Sequence, residues 1–172
     1  MRDRQLAYWR EQLGGPLPIV EIPADHPRPA VQSYQGRRIT RALGVVLTGT
    51  LHAFCREHGK TLFMTLLAVF KVLLHRYTGQ EDLVVGTPIA NRTRKELESL
   101  IGLFVNTLVL GTDVSEDPTV AELLERIEKV CLDAYDHQDL PFEQLVEDLQ
   151  TSRDPSRSAL FQVMFVLGNA HG

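Results

Sequence analysis

The sequence predicts an α/β fold, and two observations support that prediction. Nearly continuous apolar stretches, rich in Val, Ile, Leu and Phe, lie at 82–90, 101–110 and 160–167 and are typical of strands covered on both faces. Stretches with apolar residues at the helical period lie between them, most strongly at 61–78 and 118–135. Helices packed against a sheet would bury both patterns.

The helices are predicted from their spacing and their end signals. A first helix covers 5–13 and stops at a Gly-Gly-Pro sequence. Thr48 or Thr50 can cap a second helix, which stops at Gly59. The remaining signals predict a helix from Thr61 to Gly79 with Lys71 and His75 on its outward edge, one from Asp117 and Pro118 to near Tyr135, and one with Asp139 near its start and Pro141 in its first turn.

Two segments between these elements have weaker signals. Residues 16–30 are rich in proline, so they are predicted to form an extended connector across a surface. Residues 34–43 alternate weakly between apolar and polar side chains, which favours a strand. Neither segment carries a pattern typical of catalysis.

Composition limits the class of protein to which the chain can belong. The chain has 172 residues, 44% of them hydrophobic and 23% charged, which is typical of one globular unit. A net charge of −4 and the absence of a basic stripe argue against nucleic acid as a partner. No stretch is apolar over the length of a membrane span and no signal peptide is seen, so a soluble protein of the cytoplasm is expected.

Cysteine and histidine do not form a metal site or a catalytic pattern. Cys55 and Cys131 lack metal-ligand spacing, and both lie among apolar residues, so each is predicted to be a small core residue. The six histidines are scattered along the chain and form no recognised catalytic motif. Phosphate-binding glycine loops and nucleophile elbows are also absent.

Asn106 is the first candidate site residue, because it lies in the apolar stretch 101–110. A buried amide without partners costs about 1 to 3 kcal/mol, so a partner is expected. Two interpretations stay open. The amide either braces a neighbouring backbone segment or lines a tunnel or cleft at the sheet.

Arg92 and the pair His137 and Asp139 are further candidates. Arg92 follows the predicted strand 82–90, and ligands often bind beyond the carboxyl ends of strands. A solvated loop that enters a short helix would also account for Arg92. His137 and Asp139 either belong to a helix start, where Glu143 would also be favourable, or form a proton-transfer pair. Asp154 and Arg157 can form an ion pair in a turn-rich stretch.

Several segments together resemble the condensation domains of non-ribosomal peptide synthetases. The later core motifs of that family are similar to GTPIANR at 86–92, IGLFVNTLVLG at 101–111, HQDLPFE at 137–143 and RDPSRSAL at 153–160. The opening LAYWREQLGG, the DHPRP segment and the stretch beginning at Thr61 fit the same domains in the same order. The resemblance therefore covers the whole of residues 1–172.

The resemblance implies a lobe of the chloramphenicol acetyltransferase fold, in which helices pack on a mixed sheet. In that family the amine of one carrier-bound aminoacyl thioester attacks the thioester of another, and an amide forms. Peptidyl and aminoacyl carrier proteins would be the partners, and their phosphopantetheine arms would bring the substrates, with no cofactor bound directly. The signature His-His-x-x-x-Asp-Gly is absent. We expect it in an amino-terminal lobe upstream of Met1, with the chain being part of a carboxyl-terminal lobe that is inactive alone.

The family motifs assign expected roles to particular residues. Arg92 matches an arginine that the resemblance implies pairs with the signature aspartate across the lobe interface, and Asn106 matches the asparagine of its motif. These two would orient or support the site, and no catalytic or metal-binding residue is expected in the chain. Chiefly structural roles are implied for His137, Asp139, Pro141, Glu143, Arg153, Asp154, Ser156 and Arg157.

Three positions depart from the family pattern, and they keep alternatives open. Gly111 stands where arginine is usual, and Ser158 and Ala159 replace an Asn-Pro pair. Epimerisation, cyclisation and ester-forming relatives share the scaffold and differ in such details. A second hypothesis is a non-catalytic module that binds carrier proteins or a neighbouring domain. If a lobe interface is left open, an exposed apolar face and self-association are expected.

Overall fold

The computed structural model describes residues 2–92, 96, 100–102, 104–149 and 154–168. Within them, five helices accompany two strands, as the α/β prediction requires. In chain order they are α1 (Arg2–Leu13), α2 (Val45–Glu57), α3 (Leu62–Thr78), β1 (Asp82–Ile89), β2 (Asn106–Asp113), α4 (Val120–Asp136) and α5 (Phe142–Asp148).

The ends of α3 confirm the predicted helix. The Thr61 hydroxyl accepts a hydrogen bond from the Met64 amide at 3.2 Å and caps the start. At the other end Gly79 has a φ of 69°, a left-handed conformation that glycine adopts at little cost, and its amide donates to the His75 carbonyl at 2.7 Å. The capping residues therefore define both ends.

Two other helices start at different residues from those predicted. In α4 the cap is Thr119, not Asp117 or Pro118, and Thr119 forms a capping box with Glu122. In α2 the prediction of a Thr48 or Thr50 cap is wrong, because the helix already begins at Val45. The hydroxyls of Thr48 and Thr50 instead donate to the carbonyls four residues earlier, those of Gly44 and Val46.

The two strands pair antiparallel, with Asp82 opposite Asp113 and Ile89 opposite Asn106. The predicted strand 101–110 is displaced in the structure. Strand β2 begins only at Asn106 and continues through Gly111 to Asp113, while Ile101 lies fully exposed outside it. The apolar pattern predicts a strand in this stretch, but it does not predict which residues form hydrogen bonds with a neighbouring strand.

The remaining two predicted strands are wrong. Residues 34–43 have no regular structure and are exposed. Residues 160–167 contribute only one parallel bridge, between Met164 and Gly86, with hydrogen bonds from the Gly86 amide to the Val163 carbonyl and from the Phe165 amide to the Gly86 carbonyl. A strand needs a neighbour to complete its hydrogen bonds, and apolar composition does not supply one.

The sheet lies between helices. Lys71 of α3 reaches Thr112 on one face of β2, and Val109, which points to the other face, lines a cavity of about 170 Å³ with Tyr8 and Leu13 of α1. Helix α4 contacts both α3 and β2. Cys55 and Cys131 are buried and unpaired, as predicted for small core residues.

Lys71 corrects the prediction for the outward edge of α3. Its side chain is 0% exposed, so it points into the core and not to solvent. The outward surface is instead apolar, with Val69, Val72, Leu73 and Tyr77 all exposed. None of the described helices is long and apolar enough to cross a membrane alone; α2 and α3 reach that length and composition only as a pair bent by 106°.

Candidate functional site

Arg92 and Asn106 lie at the same end of the strand pair. Asn106 is the first residue of β2 and sits opposite Ile89, the last residue of β1. Arg92 follows Ile89 by three residues, after Asn91 turns the chain with a φ of 49°. Asparagine tolerates this left-handed conformation better than most residues, so the turn suits the sequence. The end of the sheet is therefore the candidate site.

The amide of Asn106 is fully hydrogen-bonded. Its Nδ2 donates to the carbonyls of Gln138 and Leu140, both at 2.9 Å. Its Oδ1 accepts from the backbone amides of Thr107 at 2.9 Å and Phe142 at 3.0 Å. Of the two interpretations of this residue, bracing of a neighbouring backbone segment matches these contacts. The braced segment is the one that the sequence singled out at 137–143.

Arg92 lies half-buried beyond β1, and its guanidinium carbon is 4.3 Å from the centre of the Phe104 ring. A guanidinium over an aromatic face is held by the ring quadrupole. Phe104 precedes β2 by two residues, so this contact joins the chain leaving β1 to the chain entering β2. The charge of Arg92 is thus positioned at the end of the sheet.

His137 and Asp139 have separate contacts in the structure. His137 ends α4; its Nδ1 is 2.8 Å from the Asp133 carbonyl oxygen, and its ring stacks on Tyr8 with centroids 4.0 Å apart. Asp139 accepts a hydrogen bond from Gln5 of α1 at 3.1 Å. Each group is engaged with α1 or with its own helix, and the described hydrogen bonds include none between the two.

Pro141 and Glu143 lie at the start of α5. Pro141 is the residue before the first helical turn, one position earlier than predicted, and Glu143 lies exposed within that turn. A carboxylate there is favoured by the positive end of the helix. Both residues thus have a structural explanation.

The stretch 154–157 contacts residues at and just beyond the carboxyl end of the connector instead of the end of the sheet. The Pro155 carbonyl accepts from the Gln32 amide at 3.2 Å, and the Ser156 carbonyl accepts from Arg28 at 3.2 Å. Arg157 pairs with Asp154 at 3.6 Å, as the sequence suggested. Hydrogen bonds from Ser156 lower the pKa of the Asp154 carboxyl. Arg153, the remaining residue of this motif, lies outside the described residues.

Lys71 is the buried charge that sequence reasoning missed. Its Nζ donates to the carbonyls of Leu83 at 2.9 Å and Leu110 at 2.7 Å and to the Thr112 hydroxyl at 2.7 Å. Burial lowers the pKa of Lys71 to about 7. Apolar residues one turn away on both sides, Leu67 and Leu74, were the signal that this position faces inward.

The chemistry that this site offers is binding and positioning. It presents a cation at Arg92 and an amide whose hydrogen bonds fix a loop. Over the part of the chain that the structure describes, no three His, Cys, Asp or Glu side chains are placed to hold a metal ion. The arrangement can orient a partner group of negative charge.

Comparison with known proteins identifies the protein family that the chain matches. The family model described as "Condensation domain" matches residues 1–172. One of the linear gramicidin synthase subunits of Brevibacillus parabrevis is 54% identical over 167 residues, which cover 97% of this chain and 2% of that protein. The malpinin synthetase of Mortierella alpina is 49% identical over 165 residues, which cover 96% of this chain and 2% of that protein. The chain thus spans only a small part of the curated relatives that it matches.

Solved structures have the same fold. A holo four-domain nonribosomal peptide synthetase bound to AMP and glycine matches with a TM-score of 0.93 and 30% identity, over 99% of this chain and 13% of that one. The complex of the X-domain and OxyB from teicoplanin biosynthesis matches with a TM-score of 0.87 and 30% identity, over 94% of this chain and 36% of that one. The α/β prediction and the resemblance to condensation domains are both confirmed.

Proposed function

Because the chain belongs to the condensation-domain family, we propose that it supplies part of the site at which two carrier-bound thioesters are joined into an amide. The match of the family model to all 172 residues carries the proposal, and the identity to a peptide synthetase supports it. Peptidyl and aminoacyl carrier proteins are the proposed partners, and their phosphopantetheine arms bring the substrates.

The proposed reaction is attack of the acceptor amine on the carbonyl carbon of the donor thioester. A carbon–nitrogen bond forms, the carbon–sulfur bond breaks, and the proton lost by the amine balances the thiolate that leaves. A general base assists such a transfer. In this proposal the base comes from a His-His-x-x-x-Asp-Gly segment outside these 172 residues, since no two histidines are adjacent here.

Arg92 is proposed to hold that histidine segment in place. Its half-buried guanidinium lies at the end of the sheet, where it can pair with the aspartate of the signature. Breaking a partly buried pair leaves one charge without compensation, so loss of the arginine would displace the loop that bears the histidine. Asn106 supports the same end of the sheet through the segment that it braces.

The proposal is tested by following amide formation between a loaded donor carrier protein and a loaded acceptor carrier protein. The chain is assayed alone and then joined to a segment that carries His-His-x-x-x-Asp-Gly. Product only from the joined protein is expected. Product from the chain alone would contradict the proposal and return attention to His137 as a base.

Arg92 is tested in the joined protein. Arg92→Ala should lower the rate of amide formation by roughly tenfold or more, because a positioning contact is lost. Arg92→Lys should retain more activity, since the charge remains. Arg76→Ala, at an exposed arginine of α3, serves as the control and should leave the rate unchanged. Equal rates for Arg92→Ala and Arg76→Ala would contradict the role of Arg92.

A second candidate function is a non-catalytic docking module, and one comparison favours it. The similar X-domain from teicoplanin biosynthesis is found in a complex with OxyB, so this scaffold can serve to bind another protein. Departures from the family pattern at Gly111, Ser158 and Ala159 are compatible with such a specialised relative, or with an epimerisation, cyclisation or ester-forming one. A joined protein that binds loaded carriers but yields no amide would support this candidate.

A further inference from the structure

We infer that Asn106 is a positioning residue for α1, although the two share no described hydrogen bond. The connecting piece is the segment 137–142, which we call the α1 seat. Asn106 fixes the seat from the sheet, and α1 rests on the seat through three side chains. These contacts carry the inference, which does not depend on the proposed function.

Asn106 holds the seat from the sheet side. It binds the Gln138 and Leu140 carbonyls and the Phe142 amide, so three alternate residues of the seat are fixed by one side chain. With the Thr107 amide as the fourth partner, both N–H groups and both lone pairs of the amide are used. The side chain is 6% exposed, so solvent cannot readily replace these partners.

Helix α1 holds the intervening residues of the seat. Trp9 Nε1 donates to the His137 carbonyl at 2.9 Å, and the Tyr8 ring is stacked on the His137 ring with an interplanar angle of 9°. Gln5 donates to the Asp139 carboxylate at 3.1 Å. Tyr8 and Trp9 lie three and four residues after Gln5, so the three side chains share one helical face.

The seat therefore has two sides. Its even-numbered residues are bound by Asn106, and its odd-numbered residues His137 and Asp139 are bound by α1. Loss of Asn106 would leave the buried Leu140 carbonyl without its donor, and the segment would rearrange to satisfy it. The contacts of Gln5, Tyr8 and Trp9 would then lose their geometry together.

A second attachment keeps α1 near the molecule when the seat is disturbed. Arg10 forms a two-pronged pair with Asp148 of α5, through Nε at 2.7 Å and Nη2 at 2.6 Å. This pair lies outside the seat. The expected result of disturbing Asn106 is therefore a loosened α1 on an otherwise folded chain.

Trp9 reports the position of α1 directly. It is the single tryptophan of the chain and is 2% exposed, so its fluorescence comes from one buried site. The variant is Asn106→Asp, which keeps the shape but places a second oxygen against the carbonyls of Gln138 and Leu140. Asn91→Asp, which adds the same charge at the same end of the sheet, is the matched control.

In the 172-residue chain, Asn106→Asp should shift the Trp9 emission to longer wavelength and roughly double its quenching by acrylamide, because local opening exposes the indole. Far-ultraviolet circular dichroism should show that the helices remain. Asn91→Asp should leave emission and quenching unchanged. Unchanged Trp9 emission in a folded Asn106→Asp variant would overturn the inference.

Hydrogen exchange on the unaltered chain provides a test that does not depend on a variant folding. If α1 rests on the seat, the Trp9 indole N–H, which donates to the His137 carbonyl, opens at least as readily as the Phe142 amide that Asn106 binds. That order of protection is the expected result. A Trp9 indole N–H that stays protected longer than the Phe142 amide would show a helix held independently of the seat and would overturn the inference.

Discussion

At the scale of single residues, Lys71 shows how a charge can lie in the core without a carboxylate in contact. Three oxygens of the strand pair accept its three N–H groups, which favours the ammonium form, while burial disfavours it. Burial has the larger effect and lowers the pKa to about 7; Cys131 of α4 and Asp82 of β1 act on the pKa in the opposite direction. Folding thus weakens proton binding by this lysine.

The pKa of Lys71 makes stability depend on pH. Between about pH 7 and its ordinary value near 10.5, the unfolded chain binds a proton at Lys71 that the folded chain does not hold fully. The free energy of unfolding should therefore rise with pH across that window. Cys131 acts in the opposite direction above pH 9, because burial raises its pKa from 9.0 to about 11. The effect of Lys71 on stability is therefore best measured between pH 7 and 9, below the range in which Cys131 acts.

Lys71→Met should remove the rise in stability between pH 7 and 9, since methionine fills a similar volume without titrating. Urea unfolding at several pH values measures the slope. Lys129→Met, at a lysine whose side chain is 82% exposed, should retain the slope of the unaltered chain. A slope that survives in Lys71→Met would assign it to another group.

Gly86 is a position at which the addition of one carbon atom should lower the stability of the fold. A Cβ built on Gly86 would lie 2.6 Å from atoms of the Phe161 ring, well inside van der Waals contact. Gly86→Ala should therefore destabilise the chain by about 1 to 3 kcal/mol, as overpacking of a core does. Thermal or urea unfolding measures the change.

The Phe161 contact is separated from other effects by a double-mutant cycle. Gly86→Ala combined with Phe161→Leu should cost less than the sum of the two single changes, because the smaller side chain leaves room for the methyl group. Strict additivity would mean that the cost arises elsewhere, for example in the bridge from Gly86 to residues 163–165.

At the scale of elements, the helix ends show which sequence signals were sufficient to predict the structure. Thr61 and Gly79 are end signals whose geometry is local, and the structure confirms both. The strand predictions at 34–43 and 160–167 were wrong because a strand depends on a partner strand far away in sequence. Asn106 could be identified as a buried polar residue, but its partners, 32 to 36 residues away, could not.

Thr119→Ala tests the capping box of α4. Removal of the cap hydroxyl leaves the Glu122 amide without its partner and should lower the free energy of unfolding by about 1 kcal/mol. Thr50→Ala is the matched control. The Thr50 hydroxyl only returns to the Val46 carbonyl within α2, so its loss should be close to neutral. Equal destabilisation by the two changes would contradict the assignment of the cap.

At the scale of the whole molecule, the exposed apolar surface is the feature that we expect to govern behaviour in solution. A groove of about 390 Å³ runs between α2, α3 and α4 and is lined almost entirely by apolar side chains. The outward residues Val69 and Val72 line it and are exposed. Apolar surface of this kind promotes association.

We expect the chain to self-associate at high concentration through this face. Val69→Lys should shift light scattering toward the monomer, because burying a lysine in the contact is unfavourable. Val166→Lys is matched to it, since both valines are 59% exposed and Val166 lies outside the groove. A monomer at high concentration for the unaltered chain would contradict the expectation.

The chain between α1 and α2, which includes the connector, is exposed to proteases over most of its length. Residues 21–44 are exposed throughout, and the Gln32 amide is among the few backbone groups there with a partner elsewhere. Proteases cut such backbone readily. A single cut in this stretch would leave α1 as a separate peptide, still attached through Trp9, Gln5 and Arg10. The nicked protein should then behave as a non-covalent complex of two fragments, from which a synthetic α1 peptide could be exchanged.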